Sequence, residues 1–484
     1  MLRALIKKEI TVTVLDMRFI ITSLLFVILI PLGMYVSRKD YERRISAYQR
    51  EHQEYRQRYG KGVDVIDVEA QGLRPPSILS IFASGIGPFM PDKIMTARSG
   101  LFRTVKEPIA DNPHSFLFGK SDFLFNVGFI VSMAALIFTF NSISGERETG
   151  TLRLMIANSI PRNQILMTKV VGNFVALLIP FIISVLIALL ILDASPYVSI
   201  ASSNVWPAFL AIIVVTFLFI LGMISLGICI SSFTRQSINS IVLAFFVWMI
   251  LVLAIPKVSP MIADILYPVE SASVFDSNKR MIAEDIDNEL VEEREALREK
   301  CFKEYGAPER DMRSSRQMTK EGKMANAKYE QEFAPIAEKY QKRLADKLRQ
   351  IEQDYMRRKN IRSSIAMNLS RISPICCYTY ILCEISGTGV TEPDNFTRNS
   401  QRYQDQVKQQ IYDKVIIKRR RHGASYEYVE GYDAQNTILP DMTYTYPSVT
   451  RSLQTSQLDI LLLSLFTVLF CSLAFMRLNK YDVR

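Results

Sequence analysis

The sequence is short of the residues that metal binding and catalysis use. Only three histidines, His52, His114 and His422, and six cysteines are spread over 484 residues. No CxxC pair with zinc spacing occurs, so a His/Cys metal site is not expected. Cys229 and Cys471 lie inside apolar runs and read as small packing residues. Cys376, Cys377 and Cys383 form the one local cluster; buried thiols are the plain reading, with a soft-metal or redox role as the alternative. A phosphate-binding loop is also lacking. Gly119-Lys120-Ser121 matches only its end, and His114 stands where its first glycine belongs. No GxSxG, HExxH or GxGxxG occurs in a fitting context. The long apolar runs, moreover, carry almost no ionisable residues near their middles: Asp122, Asp193, Lys169 and Asp459 sit toward run ends. Proton pumps and secondary transporters place carboxylates or bases there. The chain is therefore not expected to hydrolyse nucleotide or to bind coupling ions, and a third reading, a secondary transporter, is disfavoured.

What the sequence has in quantity is apolar length. Hydrophobic residues make up 49% and charged residues 22%, divided into apolar runs and polar blocks. Six runs reach the ~20 residues that cross ~30 Å of hydrocarbon as helix: 19–37, 121–142, 164–193, 205–232, 237–256 and 457–476. Lys and Arg in short loops mark the inner side. The loop 194–204 has neither and reads as outside. The loop 143–163, with Arg147, Arg153 and Arg162, reads as inside, as do the turn at Arg235 and the tail 477–484 with Arg477, Lys480 and Arg484. Six spans then place both termini in the cytoplasm. Residues 1–18 show apolar Leu2, Leu5, Ile6, Ile10, Val14 and Leu15 at helical spacing between charges. They read as an amphipathic interface helix on membrane lipid, the alternative being a simple extension of the first span.

Two polar blocks, 38–120 and 257–456, fall outside. Segment 40–58 is a charged helix candidate, followed by a Pro/Gly-punctuated stretch of short elements. In 326–369, Tyr329, Phe333, Ile336, Tyr340, Leu344, Leu348, Ile351 and Tyr355 form one helical stripe. Ile282, Ile286, Leu290, Leu297 and Cys301 form a second in 280–303. An antiparallel helical hairpin follows. Its charges alternate in sign, which suits a solvated coiled-coil surface rather than nucleic acid. Residues 371–456 read as the return of the outer domain to the membrane, with 403–417 helical in pattern and the basic run Lys418–His422 a solvated turn or a headgroup contact. The fold class expected is mainly α: a six-transmembrane-helix bundle with a large helical extracytoplasmic domain built on a coiled-coil hairpin.

The inner loop 143–163 carries the most specific pattern. Gly145, Glu146, Arg147, Glu148, Thr149, Gly150, Thr151 and Leu152 make a compact charged turn bracketed by two glycines. Thr151 is expected to cap a short helix 152–158, and Pro161 to restart the chain in the first turn of the third span. A short helix held under the membrane and tied at both ends can pass force from a soluble partner to two spans.

This SGERETGTL run, its Pro-Arg linker and the following long span resemble the corresponding loop of ABC type-2 exporter permeases. The six spans, the N-terminal helix and the short tail are similar too, over 1–37, 121–256 and 457–484. The large outer segments depart from simple members. The stretches Arg74–Phe82 and Ser386–Gly389 look similar to a subgroup with long outer insertions, commonly labelled permeases for multi-copper enzyme maturation; no copper function is carried over. The resemblance implies a bacterial inner-membrane subunit with no cofactor of its own, ATP-Mg being held by a separate cytoplasmic ABC ATPase seated on the loop 145–160, with Gly145–Leu152 as its coupling residues. It implies a second permease subunit, identical or related, and admits an envelope protein at the outer domain; no nucleic acid is implied. The alternative function is a membrane-anchored envelope scaffold that assembles partners without transport.

Overall fold

The structure is a computed structural model that describes residues 2–59, 70–96, 102–105, 121–158, 160–198, 205–308, 319–407, 409, 420–422, 425–427 and 440–480. The expected loop 194–204 is described only to Val198, the hairpin connection only to Pro308, the basic run only at 420–422 and the tail only to Lys480; the rest of these lie outside the described residues. Among the described residues the elements are α1 (Leu2–Val14), α2 (Met17–Tyr59), β1 (Gln71–Leu73), β2 (Lys93–Thr96) and β3 (Phe102–Val105). Then come α3 (Phe123–Phe125, a π-helical run Asn126–Val131, and Ser132–Thr139), α4 (Ser144–Glu148), α5 (Thr151–Ala157), α6 (Arg162–Asp193), α7 (Trp206–Phe233) and α8, which runs Ser237–Trp248, through a π-helical run Met249–Ala254, to Ile255–Leu266. The chain continues through α9 (Ala272–Glu304), α10 (Lys320–Ser370), α11 (Pro374–Ile385), α12 (Glu392–Val407), β4 (Arg420–His422), β5 (Ser425–Glu427), α13 (Val449–Thr455) and α14 (Gln457–Asn479). Among the described residues six helical stretches are long and apolar enough to cross a membrane: α2, Phe123–Glu148 (α3 running into α4), α6, α7, α8 and α14. The chain divides into two compact units, 1–256 with 371–484, and 257–370.

In the first unit α7 lies at the centre of one apolar cluster that draws Phe26 and Ile30 from α2, Val127 and Val131 from α3, Phe181 from α6, Tyr378 and Ile381 from α11, and Leu463 from α14. Lipid is as apolar as leucine, so such helices are held by close packing rather than by escape from water. Glycines supply the approach. A Cβ at Gly33 of α2 would lie 2.6 Å from the Ser121 carbonyl oxygen, and one at Gly222 would lie 3.1 Å from Thr467 Oγ1. Buried hydroxyls satisfy themselves locally: Thr216 donates to Ile212 O and Ser184 to Pro180 O, both four residues back.

The first expected span, 19–37, is part of a longer helix. α2 continues unbroken through the charged segment to Tyr59, 43 residues in all, or about 64 Å. The Arg38–Glu42 and Arg44–Asp40 pairs at i,i+4 support the extension. Its far half carries a three-stranded antiparallel sheet of order β1-β2-β3, which Lys93 anchors to Glu51 at 2.6 Å. A small second core, Tyr55, Ala70, Ile94, Tyr403 and Val407, joins this sheet to α12, so α12 folds with the insertion after the first span. Segment 371–385 is likewise part of this unit. Its helix α11 is buried, with all three of its cysteines free thiols, and among the described residues no group of three His, Cys, Asp or Glu could hold a metal ion.

At the start of α12, Glu392 is 2% exposed and accepts a 2.6 Å bond from Tyr444 Oη. Burial pushes its carboxyl above the ordinary range, against the lowering effects of Tyr444 and Arg74. A carboxyl raised in the folded state binds protons more readily there than in the unfolded chain. Its contribution is therefore present below the unfolded value and lost as pH rises through the folded one. Glu392→Gln is expected to flatten the stability profile just above pH 4.5, measured as melting temperature against pH. A profile identical to that of the natural chain counts against this.

In the second unit α9 and α10 run antiparallel. Phe275 stacks on Tyr355 with centroids 4.0 Å apart, Glu289 pairs with Arg343, and Glu304 with Lys328, each at 2.5 Å. As one number rises the partner falls, which keeps a single register. At the end of α9 Gly306 adopts φ +61°. Its N–H donates to Lys303 O at 3.1 Å and that of Ala307 to Phe302 O at 3.0 Å, a glycine-terminated helix end of the Schellman type.

Candidate functional site

The eight candidate residues lie together on two short helices at one end of the bundle in the first unit. α3 ends at Thr139, and the chain turns into α4, whose first amides have no partner within their own helix. Ser231 Oγ of α7 supplies one, accepting from Ile143 N and Ser144 N at 3.0 Å each. Between α4 and α5, Gly150 sits at φ +76°, a left-handed conformation that residues with a Cβ enter only at a cost. No atom lies within 4 Å of a Cβ built there, so the penalty for Gly150→Ala is conformational alone. It should cost about 1 kcal/mol, read from the melting temperature of the purified chain; an unchanged melt would show that the turn re-forms without strain.

The charged residues of α4 match the ends of the neighbouring helices in sign. Arg147 Nη1 donates to Thr234 O at 3.1 Å, at the carbonyl end of α7. Glu148 Oε2 accepts from Ser237 N at 3.1 Å, at the amide end of α8. A cation at a helix C-terminus and an anion at an N-terminus both complement the helix dipole. Glu146 turns inward and accepts from Lys169 Nζ of α6, which also donates to Glu9 Oε1 of α1 at 2.9 Å. Farther along, Arg162 donates to Leu478 O and Asn479 O, capping α14. Leu152 is fully buried in the membrane core cluster, and Gly145 packs beside Ser237. The loop is thus pinned directly to α6, α7 and α8, and Lys169 and Arg162 of α6 carry the connection on to α1 and α14.

The candidates therefore separate into two sets. Glu146, Arg147 and Leu152 hold the loop in place. Glu148, Thr149 and Thr151 are exposed, and Gly150 lies at the turn between them. The open face extends to residues the sequence did not single out: Arg153, Ala157 and Asn158 are exposed, and Leu154 is 65% exposed. Two local expectations are corrected. Thr151 does not cap the short helix but begins it: Gly150 takes the cap position, and the Thr151 hydroxyl donates instead to Glu146 O at 3.3 Å. Pro161 stands at the cap of α6 rather than in its first turn, and its carbonyl accepts from Gln164 N and Ile165 N. Glu9 was missed as well. The one available signal was Lys169, a cation in an apolar run that needs an acid from elsewhere in the chain.

The arrangement offers no nucleophile–base pair and no metal-ligand set. Mechanically, it is a stiff two-helix element with a free face, fastened to the ends of most helices around it. Compared with known proteins, residues 3–483 match the family model described as ABC-2 family transporter protein. No curated protein matches the chain.

Proposed function

The chain belongs to the ABC-2 family of transporter proteins, and from that membership we propose that it is the permease of an exporter driven by a separate cytoplasmic ATPase, which seats on the α4–α5 loop. Membership makes it a multi-pass membrane subunit of an ABC transporter with an ATPase partner. The loop's role, the export direction and the cytoplasmic placement of both termini are our reading. The observation that carries it is the free face of Thr149, Thr151, Arg153 and Leu154 on an element pinned to α6, α7 and α8. A partner pulling on that face moves the ends of α6, α7, α8 and α14 together, as coupling between two global states requires. Two permease subunits, identical or related, would enclose the path. The outer insertions would be available to an envelope protein.

The test is capture from native membranes. The natural chain is expected to bring down an ABC ATPase, and Arg153→Glu with Leu154→Ala to lower its yield at least tenfold (about 1.4 kcal/mol or more) while leaving the permease intact. Absence of any ATPase from the natural complex would remove the reading and put the membrane-anchored scaffold in its place.

A further inference from the structure

Lys169 is buried against two acids, with Lys8 a further cation acting on Glu146. Its side chain is 5% exposed, and it meets two carboxylates, Glu146 at 15% and Glu9 at 14% exposure. One acid would neutralise the lysine. The second comes from α1, the helix whose sequence pattern assigned it to the lipid surface. α1 reaches that position because α6 carries glycine where the two helices meet: a Cβ at Gly172 would lie 2.7 Å from Glu9 Cβ. On the same stretch of α6, Asn173 Nδ2 donates to Ser142 Oγ at 3.2 Å, at the entry to α4. α1, α6 and the loop are therefore joined through one buried cation within about one turn of α6.

We propose that Glu9 and Lys169 are positioning residues for the loop, with α1 acting as a brace that holds Glu146, and through it α4 and α5, against α6. This inference rests on the loop being the ATPase seat, and extends that seat to the N-terminal helix. Losing Glu9 leaves the Lys169–Glu146 pair and removes only the brace. Losing Lys169 leaves two acids facing each other with no cation between them.

The test uses the full chain purified in detergent and reads amide hydrogen exchange. In Glu9→Gln the amides of residues 144–157 should exchange about five- to tenfold faster, while those of α7 keep their natural rates. Lys169→Met should raise loop exchange at least as much, and Lys169→Arg should restore it to within about twofold, since it keeps the charge. A purely packing role for α1 would not be rescued by arginine. If Lys169→Met does not accumulate, Glu9→Gln decides alone. Loop exchange within twofold of natural in Glu9→Gln overturns the brace, even if an ATPase is captured. Accelerated exchange in a chain that captures no ATPase upholds the brace and overturns the function proposed above.

Discussion

Asp459→Asn is expected to lower stability by about 3 kcal/mol, among the largest losses available from one side chain. Asp459 lies in the first turn of α14, with its side chain 4% exposed, and Arg371 grips it with Nε on Oδ1 at 2.7 Å and Nη2 on Oδ2 at 3.0 Å. Two residues on, Ser373 Oγ donates to Leu251 O, in the π-helical run of α8, at 2.5 Å. Segment 371–373 thus fixes the start of α11 to two membrane helices at once. Asparagine keeps the shape and one acceptor but takes the countercharge from a guanidinium that is 18% exposed. Arg371→Leu should cost more, because the more deeply buried carboxylate is then the group left alone. Replacing both by leucine, with Asp459→Leu alone as the fourth corner of the cycle, should recover most of the loss, since apolar pairs often substitute for buried ion pairs at little cost. Loss of helical signal on denaturant titration in detergent, taken round the double-mutant cycle, measures this. A coupling below about 0.5 kcal/mol would show that the pair is incidental.

The sequence made the bundle legible because lipid imposes a length and a composition on every span, and all six runs are found as helices. It made the α9–α10 pairing legible for a related reason: eight apolar positions at spacings of three and four define one face whatever that face meets. Other features depend on contacts between distant residues. The strands β1, β2 and β3 are three or four residues long, too short for a period to emerge. α11 is an apolar run of 12 residues, below the length that signals a span, and only the cluster around it shows that it is buried. At the candidate site the pattern Gly145–Leu152 located the loop but could not say which side chains face inward. Glu146 and Glu148 are two residues apart and read alike. One is taken by Lys169 and the other by the amide of Ser237, 89 residues away. The π-helical runs in α3 and α8 left no pattern either; each is flanked by ordinary helix, and Trp248 Nε1 of α8 donates to Ser132 Oγ of α3 at 3.0 Å beside both.

Gly227→Ala is expected to cost about 2–3 kcal/mol, and its effect should reach the loop. A Cβ at Gly227 of α7 would lie 1.9 Å from Thr139 Oγ1, 3.0 Å from Thr139 Cβ and 3.1 Å from Leu136 Cδ2. Thr139 cannot readily rotate away, because its hydroxyl is bonded to Ala135 O at 2.7 Å within a packed helix. The strain must go into separating α3 from α7. Four residues later Ile143 N is held by Ser231 Oγ of that same α7, so the separation pulls on the first turn of α4. Thr139→Ala removes Oγ1, the nearest obstruction, while Cβ at position 139 and Leu136 Cδ2 stay close; since the Thr139 hydroxyl bonds within α3, the change should cost about 1 kcal/mol alone. The double variant is then expected to lose less stability than the two single changes added together, a coupling that two independent sites would not show. Its ATPase capture should return with its stability. If Gly227→Ala melts like the natural chain, α3 and α7 can part freely, and the loop does not depend on their crossing.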